Sequence, residues 1–167
     1  MRHYFTTFIR IIPLIFLSSF TWAIEPSVPL QIWVNEAIIN SFTFNDKNLS
    51  IRQQDIAKFF TPEAWKSFNQ LNIFNEVKTH HFNVSAVATL PPKINLLENN
   101  IFSAEMPIMV TYFHGDETIT QNLKITIQAI PSNKTDNRGY AIQKFESVNV
   151  TPPCACNGPH QPKVTFA

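Results

Sequence analysis

The chain has 167 residues, with 13 lysines and arginines against 12 aspartates and glutamates and a formal net charge of +1. This balance provides no basic surface of the kind that binds nucleic acid or anionic lipid, so a nucleic-acid partner is not expected. With 15 phenylalanines, 12 prolines and only three glycines, the composition indicates one well-filled domain with firm loop boundaries.

The first 23 residues have the three parts of a secretory signal peptide. Arg2, His3 and Arg10 form a positively charged n-region, residues 11–20 form an apolar run, and a small residue, Ala23, ends the segment. The apolar run is short compared with the roughly 20 residues that a bilayer-spanning helix requires. The segment therefore predicts export out of the cytoplasm.

The cleavage site is predicted between Ala23 and Ile24. Cleavage there would release a periplasmic or secreted domain. An uncleaved segment would instead anchor the chain in the inner membrane, which is the only membrane contact we expect.

Three helices are predicted next. Apolar side chains recur every three or four positions over residues 30–42, which indicates an amphipathic helix, and a shorter helix is indicated over residues 50–60. A third begins at Thr61, Pro62 and Glu63, which supply a capping hydroxyl, a proline at the first helical position and an acid in the first turn.

After about residue 77 the apolar period changes from helical to alternating, which predicts strands. Their ranges are 82–90, 106–112, 123–129 and 140–150. The second and third are expected to form a long antiparallel hairpin over Gly115, and the last needs a bulge or bend between Ile142 and Phe145. Helices followed by an antiparallel sheet give an α+β fold, and we favour a curved sheet wrapped around the first helix, the cone of the nuclear-transport-factor-two-like superfamily.

Several segments are more specific than this architecture because they occur in a fixed order and spacing. They are residues 33–37 (WVNEA), 42–44 (FTF), 59–68 (FFTPEAWKSF), 106–112 (MPIMVTY) and 139–145 (GYAIQKF). Together they resemble the DotI/IcmL family of type IVB (Dot/Icm) secretion systems, over about residues 31–145.

The resemblance implies that residues 24–150 form a periplasmic, non-catalytic structural domain of an inner-membrane secretion complex. It implies protein partners in the bacterial envelope or self-association, and no cofactor. The better-known family members look bitopic, with a cytoplasmic segment and a transmembrane helix before this domain. The signal-like start of this chain and its added tail, residues 151–167, make a soluble periplasmic relative an equal expectation.

A small-molecule binder or enzyme that uses the interior of the cone is the alternative, because enzymes of this shape place an acid or a histidine inside it. The inward-facing positions of the predicted strands are apolar or aromatic. Asp116 and Glu117 lie at a turn, and Glu36, Asp55 and Glu63 lie on helix faces or in first turns. No catalytic residue is therefore predicted.

The histidines do not predict a metal site either. His80 and His81 are expected at the start of a strand, where successive side chains point to opposite faces and cannot easily share one ion. His114 is expected in a loop.

The tail contains both cysteines, Cys154 and Cys156. An incidental thiol pair in a loose tail and a local or intermolecular disulfide, open to thiol exchange, both fit this spacing. A Cys-x-Cys disulfide closes a small, strained ring and would be labile. A metal site would need two further ligands, and only His160 is nearby.

Overall fold

A computed structural model describes residues 28–133 and 138–151 of the chain. The α-helices of this part are α1 (Val28–Ser41), α2 (Leu49–Ala57), α3 (Pro62–Asn69) and α4 (Ile73–His80). The strands are β1 (Phe44–Asn45), β2 (Asn83–Ala88), β3 (Lys93–Leu96), β4 (Phe102–His114), β5 (Glu117–Pro131) and β6 (Tyr140–Asn149). The four helices precede β2–β6, with only the two-residue strand β1 between α1 and α2, so the predicted α+β order is confirmed.

The first helix buries one stripe, as its periodicity predicts. Leu30, Trp33, Val34 and Ala37 are all buried, at the spacing of one helix face. Near the end of the helix, the hydroxyl of Ser41 donates a hydrogen bond of 2.7 Å to the carbonyl oxygen of Ala37. This bond satisfies a polar group that would otherwise be costly to bury.

Helices α2 and α3 are also present, with one boundary shifted. Helix α2 ends at Ala57 rather than at the predicted Phe60, because the chain turns there toward the sheet. Helix α3 begins as predicted: Thr61 Oγ1 accepts a hydrogen bond of 3.3 Å from the backbone N–H of Ala64, and Pro62 occupies the first helical position.

Helix α4 was not predicted, and it lies between the third predicted helix and the first predicted strand. It is short and polar, and only Ile73, Phe74 and Val77 face the core. Asn72 and His81 flank it with left-handed backbone conformations, with φ values of 56° and 53°. The predicted change to strand periodicity at about residue 77 was therefore too early.

The sheet has six strands in the order β1-β2-β4-β5-β6, with β3 also paired to β4. Strands β4 and β5 pair along their length, from Phe102 opposite Ala129 to His114 opposite Glu117. Gly115 supplies the positive φ of 57° that the tight turn requires. The predicted long hairpin is confirmed.

Strands β2 and β3 lie one after the other along the same side of β4. Residues 89–92, which include Pro91 and Pro92, interrupt this line because proline cannot donate a hydrogen bond to a ladder. The predicted strand 82–90 accordingly ends at Ala88, and the short strand β3 was missed.

The predicted irregularity in the last strand is confirmed. In the pairing of β5 with β6, Gln128 lies opposite Lys144 and Ala129 lies opposite Ile142, so Gln143 is an extra residue on β6. This bulge lets both Ile142 and Phe145 pack against the core.

Candidate functional site

An enzyme of this fold would carry its catalytic acid or histidine on the core-facing side of the sheet. In this protein, the side chains on that side are apolar or aromatic. The buried side chains of its two longest strands are Ala104, Met106, Ile108, Val110, Tyr112, Leu123, Ile125, Ile127 and Ala129. Among the described residues, Ser41 is the only buried side chain of the polar or charged classes, and its hydroxyl is bonded to a backbone carbonyl. Within residues 28–133 and 138–151, no aspartate, glutamate or histidine side chain is buried in the interior.

The aromatic residues pack against one another around Phe68. The centre of its ring lies 5.1 Å from those of Phe60 and Phe145, 5.7 Å from that of Trp65 and 5.9 Å from that of Phe42. Ring centres at these distances are in direct contact, which is typical of a core. Phe42, Phe60 and Phe68 are buried in the hydrophobic core, and Trp65 and Phe145 are partly buried against it.

Trp33 is fully buried, and its indole Nε1 is the one buried side-chain polar atom of residues 28–133 and 138–151 without a hydrogen-bond partner. The ring of Tyr140 lies 5.4 Å away. An indole N–H only donates and does not titrate in the physiological range, so it supports no acid–base step.

Among the described residues, Tyr112 is the titratable side chain that is buried in the core. Burial, with a smaller contribution from the negative charge of Glu76, raises the pKa of Tyr112 well above its ordinary value. Its ring meets that of Phe82 edge to face at 5.9 Å. The hydroxyl therefore stays protonated and cannot act as a base at neutral pH.

The acids on the helices have surface roles. Glu36 Oε2 lies 3.1 Å from Arg138 Nη2. Asp55 Oδ1 lies 2.8 Å from Lys58 Nζ, and the hydrogen bond from Lys58 lowers the pKa of Asp55. Glu63 is exposed in the first turn of α3, where a negative charge complements the helix dipole.

The acids of the hairpin, Asp116 and Glu117, are exposed at the β4–β5 turn, as predicted. Across the part of the chain that the structure describes, no group of three or more histidine, cysteine, aspartate or glutamate side chains is arranged to hold a metal ion. The acids are dispersed rather than gathered at one site.

The histidines are placed differently from the prediction. His80 is the last residue of α4 and His81 follows it with a left-handed backbone, so the expected strand position of this pair was wrong. His114 ends β4 instead of lying in a loop. His81 Nδ1 lies 2.9 Å from Asp46 Oδ2, and His114 Nδ1 lies 3.1 Å from the backbone oxygen of His81.

The hydrogen bond from His81 lowers the pKa of Asp46. Sequence reasoning missed this contact because the two-residue strand β1, which positions Asp46, has no periodicity that a pattern could detect. The sequence does contain one indication of the turn that carries Asp46: residues 45–48 are Asn-Asp-Lys-Asn, a composition typical of turns.

The outer edge of the β2–β3 line has little strand pairing. Strand β1 pairs with only Val84 and Asn83 of β2. Among the described strands, none pairs with the outer side of residues 85–88 or 93–96, which we call the free edge. Along it, the side chains of Val87 and Leu96 are 51% and 45% exposed.

The remaining predicted site residues lie outside the described residues: Ala23 and Ile24 at the proposed cleavage site, and Cys154 and Cys156 in the tail. Their roles stay predictions. Of the helices in residues 28–133 and 138–151, none combines the length and apolar character needed to cross a bilayer.

Comparison with known families gives one match that covers most of the chain. The model of a DotI/IcmL family, described as a type-IV b secretion system, inner-membrane complex component, matches residues 2–149. No curated protein sequence matches the chain.

Solved structures agree with this match. An IcmL-like type IV secretion system protein from Legionella pneumophila is 34% identical, with a TM-score of 0.71, and the match covers 79% of this chain and 99% of that one. The periplasmic domain of DotI is 32% identical, with a TM-score of 0.66, over 75% of this chain and 98% of that one.

A nuclear-transport-factor-two-like protein from Salmonella enterica shares the fold. It is 14% identical, with a TM-score of 0.53, over 78% of this chain and 97% of that one. The predicted cone, in which helices pack on a curled antiparallel sheet, is therefore confirmed.

Proposed function

The chain belongs to the DotI/IcmL family of type IVB secretion-system proteins, and we propose that it acts as a non-catalytic periplasmic assembly domain that binds protein partners in the bacterial envelope. The observation that carries this proposal is the alignment with the IcmL-like secretion protein, at 34% identity over 99% of that chain. A match over the whole of a relative supports a shared role better than a match of one motif.

The interior of the fold supports binding rather than catalysis. Enzymes of this shape need a positioned acid or imidazole inside the cone. Here the buried positions of β4 and β5 are apolar, and the ring of Phe68 packs among other aromatic rings. Among the described residues, none of the buried side chains is an acid or a histidine on which the alternative, a small-molecule binder or enzyme in the cone interior, could build.

The free edge supports a protein partner. An unpaired strand edge presents backbone N–H and C=O groups to which a strand of another chain can bond. Val87 and Leu96 add apolar area beside these groups. Pro91 and Pro92 interrupt the edge, which limits uncontrolled pairing and divides it into two short docking segments.

The periplasmic location is supported by two observations. The relative that is 32% identical is itself a periplasmic domain, and the first 23 residues have the composition of an export signal. The family model extends to residue 2 and therefore includes this segment.

The proposal is tested by co-purification from cells. The chain, tagged after Ala167, is crosslinked in its native bacterium and purified from the envelope fraction. We expect components of the inner-membrane secretion complex, or crosslinked multimers of the chain itself, to be enriched over an exported control protein with the same tag. Recovery of the monomer alone would contradict the proposal.

A further inference from the structure

Two histidine side chains from distant parts of the chain meet where α4 and β4 both end. The ring centres of His81 and His114 lie 6.3 Å apart, with the ring planes inclined by 37°. Both residues are exposed, so an ion from solution can reach them. This corner takes no part in the assembly surface proposed above.

The hydrogen bonds of the two rings define their tautomers. His81 Nδ1 bonds to a carboxylate oxygen of Asp46 at 2.9 Å, and His114 Nδ1 bonds to the carbonyl oxygen of His81 at 3.1 Å. Ionised carboxylate and carbonyl oxygens only accept, so Nδ1 carries the proton in both rings. In a neutral imidazole this leaves the lone pair on Nε2, and both rings present a free ligand atom.

This arrangement is the outer-shell pattern of metal-binding histidines. A ligating imidazole characteristically donates its other N–H to a carboxylate or a backbone carbonyl, which orients the ring and makes its ligand nitrogen more basic. His81 has the carboxylate and His114 has the carbonyl. A histidine that is only solvated at the surface requires neither a carboxylate nor a carbonyl partner.

The backbone around the pair is held in place. The N–H of His81 bonds to the carbonyl oxygen of Val77 and ends helix α4. In the turn that carries Asp46, the side chains of Asn45 and Asn48 each accept a hydrogen bond from the other's backbone N–H, at 3.0 Å and 2.9 Å. The two imidazoles are therefore anchored on a defined turn, a helix end and a strand end.

We propose that His81 and His114 form a two-imidazole site for a divalent transition-metal ion of the zinc or copper class, which imidazole nitrogen prefers. Two imidazoles that share a tetrahedral zinc ion through Nε2, at Zn–N distances of about 2.0–2.1 Å, have ring centres about 5 Å apart. The rings must approach by about 1 Å, a movement within the rotamer freedom of exposed side chains. Water, or a ligand atom of a bound protein, completes the coordination.

The neighbouring histidine supplies a matched control. His80 lies beside His81 in the chain, but its Nε2 lies 3.5 Å from Glu76 Oε2 on the same helix. Its ligand atom is thus directed to a carboxylate within α4.

The test is a zinc titration followed by calorimetry, on protein exported to and purified from the periplasm through a tag without histidine. The background chain carries His3→Gln, Cys154→Ser, Cys156→Ser and His160→Gln, which removes competing ligands in the terminal segments. Circular dichroism verifies that each variant is folded.

We expect one zinc ion per background chain. His81→Gln and His114→Gln should each weaken binding at least tenfold, and Asp46→Asn, which retains both imidazoles, should weaken it roughly 10- to 100-fold. His80→Gln should bind like the background chain. The proposal is overturned if the background chain shows no saturable zinc binding. It is also overturned if either His81→Gln or His114→Gln binds zinc as tightly as the background chain.

Discussion

Phe60 and Ile142 form a short parallel bridge that joins the helical layer to the last strand. The N–H of Thr61 donates to the carbonyl oxygen of Ile142, and the N–H of Ile142 donates to the carbonyl oxygen of Phe59, each at 2.8 Å. The bridge unites two of the segments that carry the family resemblance, residues 59–68 and 139–145. Their joint occurrence in the sequence thus corresponds to one contact in the fold.

Phe68, which packs beside this bridge, should be a main determinant of stability. It is fully buried and touches Phe60 and Phe145 at ring-centre distances of 5.1 Å. Phe68→Ala should lower the free energy of unfolding by about 3–5 kcal/mol, measured by urea denaturation. The control Phe113→Ala, at a side chain 40% exposed, should have a much smaller effect, and equal losses would contradict the assignment of Phe68 to the core.

Gly115 should be required for the hairpin turn because of its backbone conformation. Lack of space for a side chain is not the reason. Its φ is +57°, and an added Cβ would meet no atom within 4 Å. Gly115→Ala should therefore destabilise the domain by roughly 1–2 kcal/mol, the cost of a left-handed conformation. Gly115→Asn should cost less, because asparagine tolerates this conformation. If thermal unfolding showed Gly115→Ala to be as stable as Gly115→Asn, or more stable, this explanation would be contradicted.

The hydrogen bond between His81 and Asp46 should make the free energy of unfolding depend on pH. Because the hydrogen bond from His81 lowers the pKa of Asp46 below its ordinary value of 3.8, the ionised carboxylate stabilises the fold above that pH. This contribution is lost as the pH falls through the lowered pKa. We expect wild type to be more stable than Asp46→Asn at pH 5 and above, with the difference shrinking as the pH falls below 3.8 and through the lowered pKa.

The comparison is made by denaturant titration over this pH range. Asp116→Asn, at an exposed turn position, serves as the control and should track wild type. A difference between wild type and Asp46→Asn that stayed constant down to the lowest pH would show that the carboxylate charge is not its cause.

The N-terminal residue of the protein in the cell should be Ile24, because residues 1–23 have the composition of a cleaved export signal. Edman sequencing or intact-mass measurement of the protein from the envelope fraction determines this directly. Ala23→Arg should block cleavage, since the site requires a small residue. An unprocessed wild-type chain would instead indicate an inner-membrane anchor.

The elements that the sequence predicted are those with sustained periodicity. Helix α1 buries Trp33 and Ala37 on one stripe, and the β4–β5 hairpin alternates over most of its length. The bulge at Gln143 could also be predicted, since Ile142 and Phe145 fall in different phases of a regular strand.

The missed elements are short or polar. Strands β1 and β3 have two and four residues, which is too few to define a period. Helix α4 has eight residues, like α3, but it lacks the capping hydroxyl and the first-turn proline that marked the start of α3. The corner of Asp46, His81 and His114 depends on two of these missed elements, β1 and α4. Its contacts join residues far apart in the chain, which no local pattern reports.

The central claim is that this domain assembles with envelope proteins through its free edge, and site-specific photocrosslinking in the native bacterium tests it most directly. A photoreactive amino acid replaces Val87 or Leu96 on the free edge, or Ile51 on the exposed face of α2 as the control. We predict that positions 87 and 96 crosslink to a secretion-complex subunit or a second copy of the chain, and that position 51 gives much less product. Absence of any protein crosslink from both edge positions, with the chain folded and exported, would contradict assembly through this edge.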